Sequence, residues 1–181
     1  MRLTDTDAKL FFDLMWSLQH YVNDELKILP DVKSPAIYSK KYDLKEKIKV
    51  REELFSNPQL IASFIQKNPH KLSKDKLEII NNWQNFIKGK FFIERFLKKH
   101  TIFIKENDVY TVSGLYQGFD EFVHPANLPV YVETILLPFK GKIIYDGVLM
   151  PHKILFGNGY KRDLKEVYME AKKNNRIISN I

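Results

Sequence analysis

A chain of 181 residues that is 44% hydrophobic, 28% charged and 13% aromatic carries enough apolar material to build its own core and is not disordered. It contains no cysteine, which excludes disulfides, thiolate zinc sites, iron–sulfur clusters and a cysteine nucleophile. Its 29 basic and 22 acidic side chains leave a net charge of +7, spread evenly along the chain and mostly lysine, so charge alone does not mark a nucleic-acid module.

The opening stretch, "MRLTDTDAKLFF", shows no basic segment followed by an apolar one, and no apolar run reaches the length of a membrane span. A cytoplasmic protein without a membrane partner is expected. Thr4 with Asp7 three positions later has the form of a capping box. Leu10, Phe11, Leu14, Met15, Leu18, Tyr21 and Val22 then recur at helical spacing, which predicts an amphipathic helix of about five turns. Pro30 and Pro35 mark a loop. "DLKEKIKVREELF" predicts a second helix with Leu44, Ile48, Arg51 and Phe55 on one side. Asn57 before Pro58 reads as the cap and first residue of a short third helix, "QLIASFIQ", which ends before Asn68-Pro69. Ser73 reads as the cap of a fourth, whose stripe of Leu77, Ile80, Trp83 and Ile87 runs to Gly89.

All seven glycines lie at or after position 89. Glycine weakens helix interiors and serves tight turns, so this asymmetry predicts a helical region over 1–88 and a sheet region with a C-terminal helix over 89–181, as two regions or one integrated domain. "KFFIERFL", "TIFIKE" and "DVYTVSGL" are rich in aromatic and β-branched residues and read as an antiparallel meander. Phe103 stands between Ile102 and Ile104, as in a strand buried on both faces. "YQGFDEFVHPANLP" is a long connection with a helical turn. "VYVETILLPFKGKIIYDGVLM" is a hairpin turning at 138–141, with a bend or bulge at Asp146-Gly147. The last helix is placed from Asp163, which has Glu166 three positions on and is followed by Leu164, Val167, Tyr168 and Ala171. The expected class is α+β: a helical N-terminal region packed with a C-terminal antiparallel sheet or small β-barrel and a terminal helix.

Few residues signal chemistry. The five histidines, His20, His70, His100, His124 and His152, do not pair at metal spacing, and the Glu121/His124 couple lacks the second motif that a di-iron bundle needs. No metal or other cofactor is expected. Ser113 before Gly114 lacks the flanking glycines of a nucleophile elbow, and no catalytic residue is assigned. In "FGNGYKRDL", Gly157 and Gly159 allow amides to converge on an anion, and Lys161 and Arg162 stand before a helix start. An anion or nucleic-acid contact there competes with a plain turn leading into an Asp163 cap. Asp146 either caps its own turn or forms a polar site with His152 at the sheet edge. Phe91, Phe92, Phe96, Tyr110, Tyr116 and Tyr131, interleaved with Lys90, Arg95, Lys98 and Lys99, read as core aromatics or as the stacking surface of a single-strand binder.

The segment "LLPFKGKIIYDGVLMPHKILFGNGYKRDLKEVYMEAK" resembles an uncharacterised group of bacterial proteins that share an LPFKGKIIYDG-like hairpin, a glycine-containing loop and a terminal helix. The resemblance spans the C-terminal part of the chain. It implies a bacterial origin and no particular activity. Three functions follow as expectations: first, a non-enzymatic binding or adaptor module with a protein partner; second, nucleic-acid binding through the C-terminal sheet and the Lys161/Arg162 loop; third, a hydrolase or transferase site near Asp146 and His152. Oligomeric state is left open.

Overall fold

A computed structural model of the chain describes residues 2–154 and 156–181. It is α+β, and it divides into two compact units: Thr6–Gln84, which is helical, and Asn85–Ile181 with Met1–Asp5, which holds the strands. Among the described residues no helix is long and apolar enough to cross a membrane.

The helical unit is built from α1 (Asp5–Leu26), α2 (Pro35–Lys41), α3 (Leu44–Ser56), α4 (Gln59–Lys67) and α5 (Lys74–Asn82). The apolar spacing of α1 does what it predicts, burying Phe11, Leu14, Met15, Leu18, Tyr21 and Val22. Phe11 meets Trp83 edge-on at 5.6 Å between ring centroids, and Tyr21 meets Phe64 at 5.4 Å. Two asparagines hold the turns between helices. Asn23 Oδ1 accepts from the Leu29 amide at 2.7 Å while its Nδ2 donates to the Leu29 carbonyl, and Asn68 does the same for Leu72 at 2.8 and 3.0 Å. Asn23 is fully buried, so these bonds remove a desolvation penalty of about 1–3 kcal/mol.

Several helix boundaries differ from expectation, each for a local reason. The stretch from Pro30 to Ser34 is a loop as expected, but the chain after it is helical: the Ser34 hydroxyl accepts from the Ile37 amide and Pro35 occupies the first helical position, which starts α2. On α3, Asp43 and Glu46 form a reciprocal capping box, and the buried side is Val50, Arg51, Leu54 and Phe55, with Leu44 exposed. Asn57 closes α3 through its backbone bond to Glu53 rather than capping α4. Ser73 heads α5 without a side-chain cap bond. The last helical turn is Trp83–Asn85, so Ile87 opens the sheet and Gly89 lies within a strand.

The second unit is a five-stranded closed barrel with a short sixth strand. Its strands are β1 (Ile87–Phe96), β2 (Thr101–Lys105), β3 (Asp108–Ser113), β4 (Val130–Phe139), β5 (Lys142–Tyr145) and β6 (Met150–Pro151). The ring order is β1-β2-β3-β5-β4 and back to β1. β1 closes it by pairing with β4 along its first part and β2 along its second, with a bulge between Ile93 and Arg95 that bends the strand. The expectation of a purely antiparallel sheet is corrected at one seam, where β3 and β5 run parallel. This five-stranded Greek-key closure is the arrangement of OB-type barrels. The β4–β5 hairpin turns on Lys140 and Gly141, both at positive φ (49° and 72°), the two-residue turn whose twist matches the strands.

Phe91, Ile93, Phe103, Tyr110, Val112, Val132, Leu136 and Ile143 fill the barrel, and Phe119, from the β3–β4 connection, joins them. Ile102, Ile104 and Val109 point outward and are covered by Leu164, Tyr168 and Ala171 of α6 (Asn158–Lys173). This is why "TIFIK" breaks strict alternation: Phe103 faces the barrel interior and its two isoleucines face a helix. The β2–β3 face, on which OB-type barrels commonly bind ligands, is therefore closed by α6.

Candidate functional site

The glycine loop before the last helix is itself helical. α6 starts at Asn158 with Gly157 at its cap position, five residues ahead of the expected start at Asp163. Gly159, Lys161 and Arg162 lie in the opening turns, and Asp163 lies too far along to cap them. Gly157 has an ordinary φ of −69°, and neither Gly157 nor Gly159 takes the positive φ of an amide nest. The Arg162 guanidinium stands 3.9 Å from Asp163 and 3.8 Å from Glu166. Sequence reasoning missed this because glycine at a helix start costs little, and the ring contacts of Tyr160 with Phe92 and Phe156 that support the extra turn are made by exposed or distant residues.

Asp146 and His152 are not brought together. Val132 and Leu136 face the barrel interior, so period-two alternation turns Thr134 inward and Tyr131 and Glu133 outward. Asp146 is buried on the Thr134 side. Its Oδ1 lies 3.4 Å from the Val148 amide and 3.4 Å from the Thr134 hydroxyl, whose proton goes to the Val148 carbonyl at 2.7 Å. With Gly147 at φ 93°, this is a bend that leads the chain out of β5. His152 is on the other side: its ring is 5.3 Å from Tyr131 and its Nε2 is 3.9 Å from the Glu133 carboxylate. The Glu121/His124 couple is likewise split between two short turns. Glu121 accepts from the Gly118 amide at 2.6 Å, and His124 Nδ1 accepts from the Ala126 amide at 3.2 Å. Among the described residues no group of three or more His, Asp or Glu side chains could hold a metal ion.

The structure instead assembles a basic pocket at one end of the barrel. Val112 pairs with Thr101 of antiparallel β2 and with Ile143 of parallel β5, so His100 comes level with Ser113 and Lys142 level with Thr111, on either side of Val112 along the barrel wall. Two strand spacings and a two-residue offset separate them, about 12 Å of backbone. Lys99 and His100 from the β1–β2 turn, Thr111 and Ser113 from β3, Gly141 from the β4–β5 turn, Lys142 and Ile143 from the start of β5, and Ser179 line a pocket of about 190 Å³. No acidic side chain lines it. Among the described residues neither Lys99 nor Lys142 has an ion-pair partner. His100 is held below the ordinary imidazole pKa, first by burial and then by the charge of Lys99. An anion in the pocket relieves that repulsion and offers His100 a partner. The signal for this site was present as "KKH" and "KGK", but each reads locally as a turn, and only the parallel β3–β5 seam joins them.

No protein-family model, curated protein or solved structure matches the chain.

Proposed function

We propose that the C-terminal barrel binds single-stranded nucleic acid, with its basic rim holding the phosphate backbone. The observation that carries this reading is the pocket in which Lys99, His100 and Lys142 converge with the Ser113 hydroxyl and no acid. Like charges gathered at one rim repel each other and favour an anion between them, and Ser113 and the imidazole supply hydrogen bonds to it. Lys98 and Lys140, next to the pocket in sequence, extend the basic rim. The barrel unit as a whole carries 15 basic and ten acidic side chains over residues 85–181. OB-type barrels contact oligonucleotides through these same two turns, an argument by analogy of fold. This reading ranks above the protein-partner expectation because a lining of ammonium, imidazole and hydroxyl groups specifies an anion, whereas the exposed apolar side chains specify no partner.

The test is fluorescence anisotropy of a labelled single-stranded 15-mer with the full chain. If Lys98, Lys99, Lys140 and Lys142 neutralise about four phosphates, affinity falls about 50-fold between roughly 50 and 200 mM salt. The double variant Lys99→Glu, Lys142→Glu should weaken binding at low salt by about tenfold or more and flatten that dependence. Absence of binding at low salt, or an unchanged double variant, overturns the reading.

A further inference from the structure

A second feature of the barrel concerns bases rather than phosphates. Phe92 on β1 and Tyr131 on β4 are register partners on the outer face, and their rings stack at 4.5 Å with an interplanar angle of 28°. Tyr160 from the first turn of α6 stands 5.3 Å from Phe92 and stacks on Phe156 at 5.1 Å. Period-two alternation brings Lys90 to the same face as Phe92, and the end of β2 adds Lys105 and Glu106. These side chains line an open cleft of about 450 Å³. Tyr160 is 44% exposed, and neither its hydroxyl nor that of Tyr131 has a hydrogen-bond partner among the described residues. Rings packed only as core would close over one another, as Phe91 and Phe103 do inside the barrel. Here Tyr160 stays exposed and Phe92 and Tyr131 only half-buried, in a cleft beside two ammonium groups.

We propose that this cleft takes an unpaired nucleobase of the bound strand, stacked against the exposed rings, with its flanking phosphates drawn to Lys90 and Lys105. The inference rests on the nucleic-acid reading above and assigns the bases a place that the α6-covered β2–β3 face cannot supply. Glu106 at the rim opposes a phosphate and accepts hydrogen bonds from a base edge, so the cleft interior suits a base. Stacking on aromatic rings is tolerant of base identity, so the cleft adds affinity without strict sequence preference.

The experiment compares, with the full chain, a single-stranded 15-mer, the same 15-mer carrying a run of abasic sites, and a 15-mer with one 2-aminopurine. Tyr160→Ala is the informative variant because Tyr160 lies at the surface, and circular dichroism verifies its folding. Loss of base stacking should weaken the abasic strand by about 5- to 150-fold. Tyr160→Ala should weaken the intact strand within that range, leave the abasic strand unchanged, and abolish the 2-aminopurine fluorescence change while keeping the salt dependence. Equal binding of intact and abasic strands, or an unchanged Tyr160→Ala, overturns this inference and leaves the phosphate-binding reading standing. Failure of the intact strand to bind overturns both.

Discussion

Replacing Phe119 with alanine tests whether the β3–β4 connection plugs the barrel. Phe119 is fully buried, and its ring lies 5.0 Å from Phe103, 5.1 Å from Tyr145 and 5.5 Å from Phe122. Truncating a buried phenylalanine leaves a cavity and costs about 3–5 kcal/mol, with the edge-on ring contacts placing this site toward the upper part of that range. In a unit of this size each kcal/mol lowers the melting temperature by about 4–8 °C, so the barrel should melt roughly 15–40 °C lower. Phe122, the neighbouring ring, is 45% exposed, and Phe122→Ala should change stability by about 0.5 kcal/mol or less. Both tryptophans, Trp16 and Trp83, belong to the helical unit, so tryptophan fluorescence does not follow the barrel directly. Amide exchange at Phe103, Tyr110 and Val112 does. A Phe119→Ala loss within about 1 kcal/mol of the Phe122→Ala loss would refute the plug.

Further outcomes follow from the caps and the buried histidines. Asp43→Ala should lower the stability of the helical unit by about 1 kcal/mol in urea unfolding, because it removes the accepting half of a reciprocal box. Asp163→Ala should cost about 0.5 kcal/mol or less, since α6 begins ahead of it; a loss as large as that of Asp43→Ala would restore Asp163 as a cap. His70 is held below the ordinary imidazole pKa of 6.5, chiefly by burial and then by His20, whose ring is 5.1 Å away, against weaker opposing effects of the Ser17 carbonyl and Asp24. The unfolded chain therefore takes up this proton at a higher pH than the folded unit does. Stability is fully present above about pH 6.5 and falls as pH drops toward the folded value. Urea midpoints followed by tryptophan fluorescence at pH 7.5 and 5.0 should show the loss in wild type and less of it in His70→Gln; equal pH dependence in both would contradict this assignment.

What the sequence made legible is what is local. The α1 stripe, the Asp43-to-Phe55 helix, the turn at Lys140-Gly141 and the double burial of "TIFIK" all rest on periodicity or on a residue's own backbone preference. The glycine asymmetry located the change of class to within a few residues, although Gly89 lies in β1 rather than ahead of it. Boundaries failed where one residue admits two readings. Pro35 reads with Pro30 as the mark of a loop and starts a helix behind Ser34, while Gly157 and Gly159 read as a loop and open α6. The candidate site was least legible. Lys99 and Lys142 stand 43 positions apart and meet only because Val112 pairs with both Thr101 and Ile143. Phe92 and Tyr131 face each other through strand register, and Tyr160 joins them only because α6 begins early. Register between distant strands leaves no signature in a single sequence.

The most direct measurement of the central claim is a nitrogen-15 correlation spectrum of the full chain titrated with a single-stranded 15-mer at low salt. The account predicts shifts concentrated at Lys99, His100, Gly141 and Lys142 on the rim and at Phe92, Tyr131 and Tyr160 in the cleft, with the helical unit unmoved. A spectrum that does not change, or changes confined to residues 6–84, would contradict it.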